Sequence, residues 1–298
     1  MTDDKKPSMS RRSFLTTTGI VAATAAFYPK TGLFAKALTA VPPAPGAVSL
    51  AGNWRFALDR TNEGVTAGWF GKPLAANTDI SLPGILQTQG FGDEITADTK
   101  FVAALPRDMR WYLLPQYKPY TVPGNIQVPY LSQPVRHYLG VAWYQRDIEI
   151  SSTWAGKRIE LLLERTRWQT DVYLGDKLVG SNRSLVAPHE FDLGVLTPGK
   201  HLLSIRIDNS MLSPAYRPDG HAVSDGEGST WNGIVGRIEL SATSPVWIAD
   251  AQVFPNIAGK TAQVRVSIGN LQVNPAKAPY RQAAYPYRLP GTIRAAKR

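Results

Sequence analysis

The stretch Tyr138–Glu164, YLGVAWYQRDIEISSTWAGKRIELLLE, decides the class of this chain. From Ala142 to Ile150, the residues Tyr144, Arg146, Ile148 and Ile150 fall on one face and Trp143, Gln145, Asp147 and Glu149 on the other, the two-residue period of a half-buried strand. In Arg158–Glu164, Ile159, Leu161 and Leu163 alternate with Arg158, Glu160 and Glu164. Leu162 interrupts the polar face, which predicts a sheet covered in part on both sides. Ser151–Gly156 is the connection. A helix would need apolar residues at three- and four-residue spacing along the whole run, and the β-branched and aromatic content argues against it.

The flanks repeat the pattern. Upstream, Leu50–Asp59 predicts a strand with Trp54, Phe56 and Leu58 on one face, followed by a loop with Gly64, Gly68, Trp69 and Phe70. Asp79–Gly84 predicts a second short strand ended by a Pro-Gly turn. Thr96–His137 reads as a long irregular segment in which Trp111, Tyr112, Tyr117, Tyr120 and Tyr130 interleave with prolines, so rings are available to plug a sheet edge or to stack on a ligand. Downstream, Gln169–Leu174 and Lys177–Gly180 form a hairpin around Gly175-Asp176. Ser184–Leu193 follows, then a turn at Thr197–Lys200, a strand at His201–Asp208, a polar loop at Asn209–Trp231 and a strand at Ile234–Leu240. No segment keeps a helical period for more than a few turns. The class is all-β, with strands at sandwich spacing.

The formal charge of +10 over 298 residues suggests a polyanion partner until it is split. Residues 1–37 hold six Lys/Arg against two Asp/Glu, and 274–298 hold six against none, so Leu38–Val273 carries 21 of each sign. The folded part therefore has no global basic field, and a nucleic-acid partner is not expected. With no cysteine, disulfides and thiolate sites are excluded. No His/Asp/Glu cluster has metal-ligand spacing, and no metal or cofactor is expected.

Residues 1–40 read as an address. Ser10-Arg11-Arg12-Ser13-Phe14-Leu15 places a twin-arginine pair before the weakly apolar Phe14–Tyr28, and Ala35-Lys36-Ala37 offers a cleavage site. The apolar stretch is too short and polar to span a bilayer. The expectation is a twin-arginine leader and a periplasmic or otherwise exported protein.

Several segments, in this order, resemble the sugar-binding, jelly-roll N-terminal domain of glycoside hydrolase family 2, the family of β-galactosidases, β-glucuronidases and β-mannosidases. They are LAGNWRFALD, SLPGILQTQGFGDE, VRHYLGVAWYQRDIEI, WAGKRIELLLERTRWQTDVYLGDKLVG, SLVAPHEFDLGVLTPGKHLLSIRIDN and STWNGIVGRIEL, across Leu50–Leu240. The resemblance implies a jelly roll over residues 41–244 and the first strands of an incomplete immunoglobulin-like sandwich over 245–273, at Asp250–Pro255 and Ala262–Ile268. It implies a carbohydrate partner, the non-reducing end of a β-linked glycoside. Retaining glycosidases use two carboxylates about 5–5.5 Å apart, and in the family these lie on a barrel that would follow the sandwich. No catalytic residue is therefore assigned here. The tail Asn274–Arg298, acid-free and rich in proline, is expected to lack structure. It reads either as a basic interaction arm or as the product of a shifted reading frame, and the abrupt change of composition favours the second.

In the resembled family, the loop before Ile234 reaches toward the substrate with a carboxylate a few residues before the Gly-Ile pair. Glu227 and Asp225 both fit that spacing, and the choice between them stays open. Each reads equally well as a solvated loop carboxylate. Trp231 offers a ring to a pyranose face or to packing, with Asn232 beside it. His137 stands where some relatives place a substrate contact, whereas His189 and His201 read as structural. The candidate sugar contacts are thus Asp225, Glu227, Trp231, Asn232 and His137. Three functions follow: a glycosidase relative whose binding domain is inactive alone, a free carbohydrate-binding module, or a subunit completing a separately encoded barrel. The run beyond Leu240 into a partial second sandwich favours the first.

Overall fold

The computed structural model of the chain describes residues 46–75, 78–99, 113–127, 135–210 and 230–271, and the backbone of 281–286. Its strands are β1 (Ala47–Ser49), β2 (Gly52–Asp59), β3 (Asp79–Leu82), β4 (Gly84–Ile85), β5 (Val141–Ile150), β6 (Arg158–Leu163), β7 (Thr166–Arg167) and β8 (Gln169–Leu174). They continue with β9 (Lys177–Asn182), β10 (His189–Val195), β11 (Gly199–Asp208), β12 (Gly233–Ile234), β13 (Ile238–Thr243), β14 (Val246–Asn256), β15 (Thr261–Asn270) and β16 (Arg281–Pro286). Every pairing is antiparallel, so the fold is all-β as expected. The leader, Trp111, Tyr112, Tyr130, Asp225 and Glu227 lie outside the described residues.

A four-stranded sheet, β1-β13-β6-β10, and a six-stranded sheet, β3-β2-β5-β11-β8-β9, close on one hydrophobic core. The alternation of Val141–Ile150 turns Tyr144, Ile148 and Ile150 inward, against Leu203, Ile205 and Ile207 of β11 and Phe56 of β2. The alternation of Arg158–Leu163 turns Ile159, Leu161 and Leu163 inward, beside Ile238 and Leu240 of β13. Successive strands β5 and β6 thus belong to opposite sheets, and the connection at Ser151–Lys157 carries the chain across the core.

The covering inferred from Leu162 falls mainly on the other sheet. The outer face of the four-stranded sheet carries Arg158, Glu160, Asp192 and Glu239, with Arg158 bonded to both Glu160 and Asp192. The outer face of the six-stranded sheet is roofed by residues 60–75. Asp59, at 2% exposure, accepts from Glu63 N and Gly64 N at 2.8 Å and from Trp143 Nε1 at 3.0 Å. A Cβ on Gly64 would collide with Trp143 and Asp59, which is why glycine stands there. Gln145 holds the far end: its Nε2 donates to Trp69 O, Lys72 O and Ser204 Oγ, and its Oε1 accepts from Leu74 N and Arg55 Nε. Trp69, Phe70 and Leu74 then pack on Val141, Trp143 and Tyr173 as a second small core.

The predicted strand Ile234–Leu240 is two strands, β12 and β13, parted at Gly236, whose φ of +110° is left-handed and beside which Glu164 accepts from Arg237 N. Within the tail only 281–286 is described: β16, with no alternation to announce it, pairs with β15 from Thr261↔Pro286 to Val266↔Arg281. Backbone pairing to a neighbour does not require a period in the side chains.

Candidate functional site

At one end of the sandwich β4, β12 and β7 form a three-stranded sheet of two-residue strands, ordered β4-β12-β7. It brings together three distant turns: the Pro-Gly turn after β3, the Thr166–Arg167 step after β6, and the residues closing the long polar loop. Gly233, with φ of +146°, passes so close to Gly84 O and Ile85 Cα that a side chain has no room.

Asn232, at 0% exposure, is the fastening of this end. Its Oδ1 accepts from Tyr144 Oη at 2.8 Å, and its Nδ2 donates to Gly140 O and Ile207 O, each at 3.2 Å. Its backbone N donates to Gln87 Oε1 at 3.3 Å and its carbonyl accepts from Leu86 N at 2.9 Å. One side chain thereby ties the centre of β5, the end of β11 and the Gly140 turn. All its polar atoms are engaged inside the protein. Burial raises the Tyr144 phenol well above its ordinary range, so it stays a hydroxyl donor to Oδ1.

Asn209 holds the other stem of the loop. Its Nδ2 donates to Tyr138 O at 2.8 Å and Trp231 O at 3.1 Å, and its Oδ1 accepts from Gly140 N at 2.9 Å. The two ends of the Asn209–Trp231 loop are therefore joined through a single side chain. Trp231 itself is half-buried. Tyr138 donates its hydroxyl to Val141 O at 2.6 Å and, buried, has its acidity pushed out of the phenol range.

His137 lies on the neighbouring turn and is 8% exposed. Its backbone pairs with Asp93 in both directions, N to O at 3.0 Å and O from N at 2.7 Å. Two exposed ion pairs flank it, Arg60–Asp93 at 2.8 Å and Arg136–Glu94 at 3.5 Å, and the Arg60 guanidinium lies 5.6 Å from the Tyr138 ring centroid. Of the five sequence candidates, the structure sets Trp231, Asn232 and His137 around the Tyr138–Gly140 turn. Asp225 and Glu227 belong to the loop that this stem carries. Asn209, Gln87, Asp93 and Glu94 escaped the sequence reading, although Asp93 and Glu94 stand in GFGDE and Asn209 ends SIRIDN, both among the segments that carried the resemblance.

The two remaining histidines have structural partners. His189 Nε2 faces Ser184 O at 2.8 Å, and a carbonyl only accepts, so Nε2 carries the proton and Nδ1 accepts from Thr166 Oγ1 at 2.7 Å. His201 Nε2 lies 2.7 Å from Thr197 O. Among the described residues no group of three or more His, Asp or Glu is placed to hold a metal ion, and no helix is long and apolar enough to cross a membrane.

Around the Tyr138–Gly140 turn the structure thus gathers exposed carboxylates, guanidinium groups and a half-buried indole, groups able to hydrogen-bond hydroxyls and to offer an apolar ring face. No family model matches the chain. Among solved structures, it is similar in fold to a Ruminococcus gnavus β-glucuronidase, with a TM-score of 0.50 and 17% identity, over 78% of this chain and 35% of that one. It is likewise similar to a Ruminococcus gnavus β-glucuronidase in complex with uronic deoxynojirimycin, with a TM-score of 0.50 and 19% identity, over 75% of this chain and 34% of that one. The chain thus spans about a third of the length of the solved structures it matches.

Proposed function

We propose that residues 41–244 are the sugar-binding jelly roll of a family 2 glycoside hydrolase relative, exported by the leader 1–40, and that 245–273 begin an immunoglobulin-like sandwich. The jelly roll supplies one wall of a pocket for the non-reducing end of a β-linked glycoside. The observation that carries this reading is the loop stem: Asn209 and Asn232 fasten both ends of the segment bearing Asp225 and Glu227 to the turn beside His137. The likeness in fold to β-glucuronidases supports it from outside the chain.

In this reading Asp225 or Glu227 accepts hydroxyl protons, Trp231 offers a ring face, and Asn232 acts by holding the stem. Contacts of this kind contribute about 0.5–1.5 kcal/mol when neutral and about 1.5–3 when charged. They must offset an association cost of about 4–15 kcal/mol. One wall alone therefore binds a monosaccharide with a dissociation constant in the millimolar range, about −4 kcal/mol at best.

Ligand-observed NMR with glucuronic acid, galactose, mannose and their β-methyl glycosides tests it. Weak saturable binding that is lost when Asp225 and Glu227 are both replaced by alanine supports the reading; absence of saturation, or binding indifferent to that change, overturns it. The 298-residue chain alone is expected to release no nitrophenol from aryl β-glycosides. Export that survives Arg11→Lys with Arg12→Lys would remove the leader from the proposal.

A further inference from the structure

A single asparagine of the chain precedes a glycine, Asn232, and a single one precedes a serine, Asn209. These are the two residues whose buried amides fasten the stem of the Asn209–Trp231 loop. An asparagine before glycine is the most reactive amide of a polypeptide, because no Cβ on the next residue hinders approach of its backbone nitrogen. The Gly233 nitrogen attacks Asn232 Cγ and a C–N bond forms; the side-chain NH2 takes up the Gly233 proton and leaves as ammonia. Water then opens the cyclic imide to aspartate or isoaspartate. No other reactant enters.

The fold withholds what this reaction needs. Asn232 is 0% exposed and Gly233 is buried beside it, so no solvent base reaches the amide proton and ammonia has no exit. The side chain is held at both ends, by Tyr144 Oη donating to Oδ1 and by Nδ2 donating to Gly140 O and Ile207 O. Any rotation that carries Cγ toward Gly233 N gives up these bonds. We infer that Asn232-Gly233 is a self-modifying site gated by the loop stem: the closed stem suppresses the reaction, an opened stem permits it, and the product keeps the stem open.

The last step follows from the surroundings. A carboxylate at position 232 turns an acceptor toward the Gly140 and Ile207 carbonyls, where Nδ2 had donated, and buries a charge that has no cation beside it among these contacts. Isoaspartate also lengthens the main chain by a methylene just before Gly233, which lies too close to Gly84 O and Ile85 Cα even for a Cβ. The strands there are two residues long, Gly233↔Ile85 and Ile234↔Gly84, so a single shifted step leaves no pairing. Asn209 is the slower of the two sites, because Ser210 carries a Cβ and its nitrogen already donates to Asp208 Oδ1 at 2.9 Å. Opening of the stem is thereby recorded in covalent form.

Peptide mass spectrometry of the full chain aged in mildly alkaline buffer, native and in denaturing urea, tests this. In urea the change from amide to acid should appear first at 232 and then at 209. Gly233→Ala should slow the reaction at 232 in urea by at least about tenfold, a comparison that requires no folding. Native chains should react at 232 at least about 100-fold more slowly than unfolded ones, since reaction waits on local opening. Tyr144→Phe removes the donor to Oδ1 and should raise the native rate several-fold while leaving the rate in urea unchanged. After aging and refolding, a brief protease pulse in intermediate urea should leave survivors at least about tenfold depleted in chains modified at 232. Equal rates in the native and unfolded chain overturn the inference, as does a native rate that Tyr144→Phe leaves unmoved, because the stem would then not be the gate. Modified chains that resist the protease as well as intact ones also overturn it, because the product would then fit the closed stem.

Discussion

Replacing Asn232 with alanine removes one acceptor and two donors from a position with no access to water. The largest loss is at Tyr144, whose hydroxyl is fully buried and is left without its acceptor; a stranded buried hydroxyl costs about 1–3 kcal/mol. Gly140 O keeps its bond from Asn209 N at 3.3 Å, so each carbonyl forfeits only an ordinary neutral bond of about 0.5–1.5 kcal/mol. Together these give about 3–4 kcal/mol. That is below the 5–15 kcal/mol typical of a domain, about, so the variant still folds. For a domain of this size the melting temperature should fall by about 2–4 °C per kcal/mol, or roughly 6–16 °C. Urea unfolding of Asn232→Ala, Tyr144→Phe and the double variant isolates the cause. Removing the hydroxyl as well relieves the stranded group, so the double variant should be more stable than the sum of the single changes implies, by at least about 1 kcal/mol. A loss under about 1 kcal/mol for Asn232→Ala, or strict additivity with Tyr144→Phe, would refute the assignment of Asn232 as the fastening of the loop stem.

Gln145→Leu should free the roof over the six-stranded sheet, because Trp69 O, Lys72 O and Leu74 N lose their partner together; hydrogen exchange is expected to rise across residues 69–74, with a stability loss of about 2–3 kcal/mol. Arg206 donates to Asp171 at 2.7 Å and to Asp208 at 3.4 Å, all three nearly buried. Arg206→Ala leaves both carboxylates uncompensated and should cost about 3–5 kcal/mol, of which Asp171→Asn in the same chain recovers a part measurable by denaturant titration. His189 is held neutral by burial, its imidazole lowered from the ordinary range. Below about pH 6.5 the unfolded chain therefore binds a proton that the folded chain refuses, and stability falls as pH falls, at up to about 1.4 kcal/mol per pH unit. His189→Gln should flatten that limb of the pH–stability curve, whatever its height; an unchanged slope would show that His189 does not titrate between the two states.

The sequence by itself determined the class of fold and most of the strands. Alternation is a local property: the period of two in Val141–Ile150 and Arg158–Leu163 says which side chains turn inward whatever the strands pair with, and the Gly175-Asp176 turn joins β8 to β9 without help from elsewhere. The tertiary structure alone decided which strands are neighbours. β5 and β6 follow one another and yet lie in opposite sheets, because pairing is settled by partners far away in the chain, β11 for one and β13 for the other. Distance in sequence also hid the roles of polar residues. Gln145 reads as one more residue on a solvated face, and it is buried because the loop after β2 returns over it. Asn232 reads as a sugar ligand beside a tryptophan, and it is spent on Tyr144, Gly140 and Ile207. A buried amide finds its partners in three dimensions, and its neighbours in sequence carry no record of them.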